Sequence, residues 1–247
     1  MDLTKESLKY LAENTIRPEE RVVSINNQSY VIDENGNPQY IAPRLHLAEN
    51  VLKINTLSGL VDYIKSNLDR AGEKLYLHIA SHKSVRLVST LKPDGRREEL
   101  AIAEAILPEF LFNRFYDMED FNVALQSIFA KNSDREILLK VVGNLKEDNV
   151  KTTGDDGISQ AVTIKTGVAS AADVKVPNPV ILAPYRTFIE AEQPESKFIF
   201  RMQDGPKGAI FEADGGAWRN QAILNIKKYL GDQLSDEIKK GKITILA

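Results

Sequence analysis

Asn55-Thr56-Leu57-Ser58-Gly59-Leu60-Val61-Asp62-Tyr63-Ile64-Lys65-Ser66-Asn67-Leu68-Asp69-Arg70-Ala71-Gly72, with the three runs that follow it, decides the class of fold. Leu57, Leu60, Val61, Ile64 and Leu68 recur on one helical face; Asn55 or Thr56 can cap the start and Gly72 can end it. Immediately afterwards Lys74 to Ser81, Val85 to Leu91 and Glu99 to Ala103 switch to partial two-residue alternation. Ser81-His82-Lys83 and Pro93-Asp94-Gly95 supply the turns between them. An amphipathic helix laid against short strands predicts an α+β fold of mixed or antiparallel sheets with packed helices.

Toward the amino terminus, Thr4 to Asn14 reads as a short helix that Pro18 stops. Arg21 to Ile25 and Gln28 to Ile32 read as a hairpin turned at Asn26-Asn27, and Glu34-Asn35-Gly36-Asn37-Pro38 closes that unit. Toward the carboxyl terminus, Phe121, Ala124, Leu125, Ile128 and Phe129 form one helical stripe, and Ser133-Asp134-Arg135-Glu136 has the form of a capping box before Ile137, Leu138, Val141 and Val142. Asn149 to Gly157 is polar and rich in Gly and Asp, which marks an internal boundary. Beyond it Ile158 to Gly167, Pro179 to Leu182, Tyr185 to Glu192, Lys197 to Gln203 and Gly208 to Glu212 read as strands. A helix then starts near Asp214, buries Trp218, Ala222, Ile226, Tyr229 and Leu230, and ends at Gly231; Lys242 to Ala247 finish as a strand. The expected organisation is an α+β half over 1–150 and a β-rich half with a terminal helix over 151–247, or one continuous domain. The Trp218 helix and the strands around Tyr185 and Phe198 are expected to share one core.

The 247 residues contain no Cys, which excludes disulfides, thiolate metal sites and Cys nucleophiles and fits a reducing compartment. Met1 to Glu6 has no signal-peptide character and no stretch is long and apolar enough to span a bilayer, so a cytoplasmic location and no membrane partner are expected. With a net charge of −3, the chain lacks the overall positive field that drives non-specific phosphate binding, so any nucleic-acid contact must be local.

Catalytic signatures are weak. His78 and His82 have the four-residue spacing of helical zinc ligands, but they sit on a strand entering a turn with no Glu between them, and a structural role explains them and His46 better. Lys165-Thr166-Gly167 echoes one element of the penicillin-recognising enzymes, and a strand-end turn is the plainer explanation. Asp173, Glu195 and Lys197 could be drawn as a Mg²⁺-dependent nuclease centre, yet their spacing is loose; Asp155-Asp156 and Glu190-x-Glu192 suit a solvated surface, and Asp214 suits a helix cap. No metal or other cofactor is expected. The suggestive pattern is aromatic and basic residues interleaved: Tyr185, Arg186, Phe188, then Phe198, Phe200, Arg201, then Trp218 and Arg219. Rings that stack bases beside arginines that meet phosphates hold single-stranded nucleic acid. Strand alternation, however, puts Phe198 and Phe200 on the face opposite Arg201, so the rings suit a core and the arginines a rim.

Val176 to Phe188, Glu192 to Ser196, Phe198 to Arg201 and Phe211 to Trp218, with Phe121 to Ser127, resemble the YfdQ-like family of uncharacterised phage and prophage proteins over residues 75 to 230. The resemblance implies a phage-encoded protein of early DNA metabolism or host takeover and carries over no catalytic residues. Combined with the aromatic and basic strands, it yields an expected non-enzymatic accessory protein that binds single-stranded DNA, or the replication and recombination machinery, through Tyr185, Arg186, Arg201 and Arg219. The alternative is a protein- or nucleotide-binding inhibitor of a host defence or regulatory system. Lys242 to Ala247, apolar and β-prone, is expected either to dock internally or to join copies into a homo-oligomer.

Overall fold

The computed structural model describes residues 4–6, 9–10, 21–25, 28–33, 35–41, 48–69, 74–92, 95–143, 150–155, 160–165, 171–203 and 207–247, with backbone alone in 150–155, 160–165 and 171–175. His46, the turns at Asn26-Asn27, Pro93-Asp94 and Asp204 to Pro206, the boundary residues around Asp156, and the side chains of Asp155 and Asp173 lie outside the described residues. The chain divides into two compact units: residues 1–47 with 91–96, and residues 48–90 with 97–247.

In the smaller unit, β1 (Val22–Ile25), β2 (Gln28–Ile32) and β3 (Pro38–Ile41) form an antiparallel meander. The breaker run before β3 turns the chain rather than ending the unit: the Asp33 carboxylate accepts from the N–H groups of Asn35 and Asn37 at 2.9 and 2.8 Å. Pro38 heads β3, where a missing N–H is tolerated.

The larger unit runs β4 (Leu52–Ile54), α1 (Leu57–Ser66), β5 (Leu75–Ser81), β6 (Ser84–Ser89), β7 (Glu99–Glu104), β8 (Tyr116–Asp117), α2 (Met118–Ile128), α3 (Ser133–Gly143), β9 (Val150–Asp155), β10 (Gln160–Lys165), β11 (Ala171–Lys175), β12 (Val180–Leu182), β13 (Ser196–Gln203), β14 (Lys207–Glu212), α4 (Trp218–Gln233), α5 (Ser235–Lys239) and β15 (Ile243–Leu246). The class is α+β. One sheet is mixed, in the order β15-β5-β6-β7-β4, with β15 parallel to β5 and β4 parallel to β7. A second, β12-β13-β14-β8, and a third, β11-β10-β9, are antiparallel. Residues from both sides of position 150 share sheets and cores here: β15 pairs with β5 and β8 with β14, so the halves expected at 1–150 and 151–247 are interleaved.

Among the described residues two apolar clusters form, and they divide the Trp218 helix from the Phe198 strand that was expected to share its core. Leu57, Leu60 and Val61 of α1 and Ile226, Leu230 and Leu234 pack on the mixed sheet with Phe188. Phe121 and Leu125 of α2 and Leu138 and Val141 of α3 pack on Phe198, Phe200 and Ile210 of the second sheet. The Trp218 helix therefore belongs to the first cluster and Phe198 to the second.

Local signals place the helix ends imperfectly. Thr56 caps α1, its Oγ1 accepting from Gly59 N at 3.1 Å, but Asn67 in the left-handed region (φ 47°) ends the helix well before Gly72. At α3 the capping side chain is Asn132, whose Oδ1 accepts from Arg135 N at 2.9 Å, rather than the Ser133 of the expected box. The helix of Trp218 runs through Gly231 to Gln233 because Leu234, fully buried, draws the chain inward; the left-handed Gly241 (φ 69°) comes only after α5.

Lys242 to Ala247 dock internally. β15 lies parallel to β5, Ile243 is buried, and Leu75 N donates to Lys242 O at 2.8 Å. Deleting residues 242–247 should lower stability by at least the roughly 1.5–3 kcal/mol of burying one Ile side chain, with no change of mass by light scattering. Urea denaturation that leaves the midpoint in place would mean that the strand contributes nothing to the fold.

Candidate functional site

The segment Ala183 to Glu195 ties the two clusters together. Expected as a strand, Tyr185 to Glu192 is instead a loop, because side chains take the bonds a neighbouring strand would have taken. Gln193 Oε1 accepts from Arg186 N and Thr187 N at 3.0 and 3.3 Å, while its Nε2 donates to Phe188 O and Ala191 O. Tyr185 N donates to Ile128 O at the end of α2, and Thr187 Oγ1 donates to His82 O in the β5–β6 turn. Glu190 accepts from Ser58 N at the start of α1, and Asn225 of α4 donates to Glu192 O.

This loop delivers Arg186 to the seam between the clusters, where its residue is only 7% exposed. Its NH1 meets Glu212 Oε1 at 2.7 Å and its NH2 donates to Ser196 Oγ. The guanidinium lies 3.9 Å from the centre of the Trp218 ring, with Phe198 at 5.5 Å and Phe112 at 5.6 Å. Burial pulls its pKa down to about 10, against the opposing pull of Glu212 and Asp214, so the cation persists at neutral pH. A buried cation needs both a counter-ion and donors satisfied; the ring faces supply further electrostatic attraction.

Asp214-Gly215-Gly216-Ala217 turns the chain from β14 into α4. Asp214 Oδ1 accepts from Gly216 N at 3.0 Å and Oδ2 from Trp218 N at 3.3 Å. Burial opposes ionisation of Asp214, but the Gly216 N–H, the Ser196 hydroxyl and the Trp218 N–H outweigh it and hold the carboxyl below its ordinary range. Gly216 has φ 82°, a left-handed backbone that strains any residue with a Cβ and so favours glycine. A relay of Arg186 to Ser196 to Asp214 thus fixes the start of α4 against β13.

Trp218 is covered on several sides. Arg219 lies 4.6 Å from its ring centre, and the His82 imidazole meets it edge-on at 4.8 Å. Burial, then the charges of Arg219, Lys83 and Arg186, push the His82 pKa below its usual value. Beside the ring opens a cleft of about 640 Å³, walled by Ile181, Glu195, Lys197, Asp214, Trp218 and Gln221 among others. Its β12 rim is closed to strand addition, because Ile181 N donates to Asp134 Oδ2 and Ile181 O accepts from Asn132 Nδ2.

Of the four residues expected to bind nucleic acid, Arg186 and Arg219 converge on Trp218. Arg186 is not on a rim but in the interior, because Glu212, 26 positions away, balances its charge. Tyr185 is half-buried against the end of α2. Arg201 points to the other face of β13, away from the buried Phe198 and Phe200. Phe198 and Phe200 are core residues, as the alternation predicts. His82 was expected only as a structural histidine, and Lys83, Ser196 and Glu212 were not expected at the site; the turn motif Asp214-Gly215-Gly216 beside an expected Trp was the one local hint of a built site.

Among the described residues no three His, Asp or Glu side chains converge as metal ligands, and no helix is long and apolar enough to cross a membrane. Ser89-Thr90-Leu91-Lys92 has the Ser-x-x-Lys spacing that accompanies Lys-Thr-Gly in the penicillin-recognising enzymes, but the Ser89 hydroxyl is committed to Thr90 O and Glu98 N, both at 2.8 Å. No family model, no curated protein and no solved structure matches the chain.

Proposed function

We propose that this is a non-enzymatic accessory protein, phage-encoded and working in the bacterial cytoplasm, that binds single-stranded nucleic acid at the Trp218 face. The observation that carries the reading is the crowding of Arg186, Arg219 and Lys83 about His82 and Trp218 on a chain of net charge −3. Glu212 balances Arg186 at 2.7 Å, so the exposed Arg219 and Lys83 supply the local positive charge an acidic chain needs in order to meet phosphate. The indole is only 5% exposed and already carries the Arg186 and Arg219 guanidinium groups and the His82 ring, so the reading rests on charge rather than on bases stacking on Trp218. Arg219 and Lys83, both exposed, are the surface contacts, and Arg186 acts from behind them.

A titration with single-stranded DNA at several salt concentrations should give a log affinity falling linearly with log salt, by about 0.7 per phosphate contacted. Arg219→Ala and Lys83→Ala should each flatten that slope by roughly one contact while leaving the circular dichroism spectrum unchanged. Failure of the wild-type protein to bind at low salt refutes the reading.

The cleft supports a second reading. Its volume lies within the range of small-ligand sites, and its rim carries Glu195, Lys197 and Gln221, which suits a nucleotide or a protein side chain and hence an inhibitor of a host system.

A further inference from the structure

The mixed sheet buries one face and leaves the other open. Leu77 of β5, Leu87 of β6 and Ala101 of β7 point into the cluster that α1 and α4 cover. Alternation sends their strand neighbours the opposite way. There the register sets one residue from each of the five strands side by side, in the order Leu246, His78, Arg86, Ile102 and Lys53. Four gaps between neighbouring strands make this row about 19 Å long, room for more than one base. His78, Arg86 and Lys53 are exposed and Leu246 is 44% exposed, so the row faces solvent. Tyr76, half-buried, stands one row away on β5, two residues from His78 on the same face.

Two rings and three cations share this face. The third cation, Arg97, lies 5.4 Å from the centre of the Tyr76 ring and donates to Ser89 O, so it is held in place over that ring. Against the cations stand Glu104, opposite Ser84, and Glu99, 3.5 Å from Arg86. The Arg86 side chain is 48% exposed, and an exposed pair of this kind contributes little, so a phosphate can compete for the guanidinium. The face also adjoins the Trp218 site. His82 and Lys83 form the turn between β5 and β6; His82 meets Trp218 edge-on, and Arg86 follows three residues after Lys83.

We infer that the open face of the mixed sheet carries a second stretch of single-stranded nucleic acid, reached from the Trp218 face over the β5–β6 turn. Bases lie against His78 and the edge of Tyr76, and phosphates meet Arg86 and Lys53. Rings flanked by cations on an uncovered sheet are the arrangement that holds unpaired bases, whereas a duplex keeps its bases stacked on one another and offers the rings nothing. The inference rests on the nucleic-acid reading of the Trp218 face and extends it.

Arg86, Lys53 and His78 are all exposed, so their variants should keep the wild-type circular dichroism spectrum. In titrations with single-stranded DNA, Arg86→Ala combined with Lys53→Ala should reduce the slope of log affinity against log salt by about 1.4, two contacts at about 0.7 each. His78→Ala should weaken binding several-fold, and His78→Phe should restore it, which a purely structural histidine would not do. A duplex of the same sequence should bind at least tenfold more weakly than the single strand. If Arg219→Ala and Lys83→Ala flatten the slope while the sheet-face variants bind as wild type, the second stretch is overturned and the Trp218 face stands. Loss in the sheet-face variants alone supports the open face and overturns the Trp218 contacts. No binding by the wild-type protein at low salt overturns both.

Discussion

Trp218→Ala should lower the stability of the larger unit by about 3–5 kcal/mol, the usual cost of truncating a buried Trp or Phe. For a chain of this size that corresponds to a fall in melting temperature of roughly 6–20 °C. The effect comes from three losses at once. The ring is 5% exposed, so its removal leaves a cavity whose lining loses its packing contacts. Arg186 loses the face that lies 3.9 Å away, and His82 loses its edge-on partner at 4.8 Å. Trp218 also begins α4, so the Asp214 turn that holds its N–H loses the side chain that anchors it. Trp218→Phe should recover part of the loss, because a smaller ring still offers a face to Arg186. A melting curve for Trp218→Ala that overlays the wild type would mean that the ring is not packed, and the seam as described would be wrong.

What the sequence revealed of this fold follows the range of the forces involved. The stripe Leu57, Leu60, Val61 and Ile64 and the alternation through Leu75, Leu77 and Ile79 are local, and both appear in the structure as a helix packed on a strand of one core. Tyr185 to Glu192 misled because alternation records only what side chains prefer; Gln193 supplies the loop with bonds that a strand partner would have supplied. Gly231 misled because the pull of buried Leu234 outweighs the modest cost of a glycine within a helix. The site shows the same division. Arg186, Trp218 and Arg219 stand out in the sequence by type, but the burial of Arg186 depends on Glu212 and the position of His82 on Thr187, 105 residues away. A charge whose partner is distant in sequence reads as surface, and that is why Arg186 was expected on a rim.

Arg186→Met should cost about 2–4 kcal/mol, toward the lower part of the range for breaking a buried ion pair because the Glu212 side chain keeps some contact with water. Methionine fills much of the volume and can still lie against Trp218, so the loss isolates charge and hydrogen bonding from packing. It leaves Glu212 without its cation at 2.7 Å and the Ser196 hydroxyl without its donor, which in turn loosens the Ser196 contact to Asp214 at the start of α4. Glu212→Gln removes the opposite partner and leaves a buried cation held by rings and one hydroxyl, so it too should destabilise. The double variant Arg186→Met with Glu212→Gln should be more stable than the sum of the single losses predicts, by about 1–3 kcal/mol, since neither charge is then stranded. Urea denaturation of the four proteins measures this coupling. Strict additivity would show that the two groups do not interact across the seam, and Arg186 would then be a buried charge without the counter-ion that explains its position.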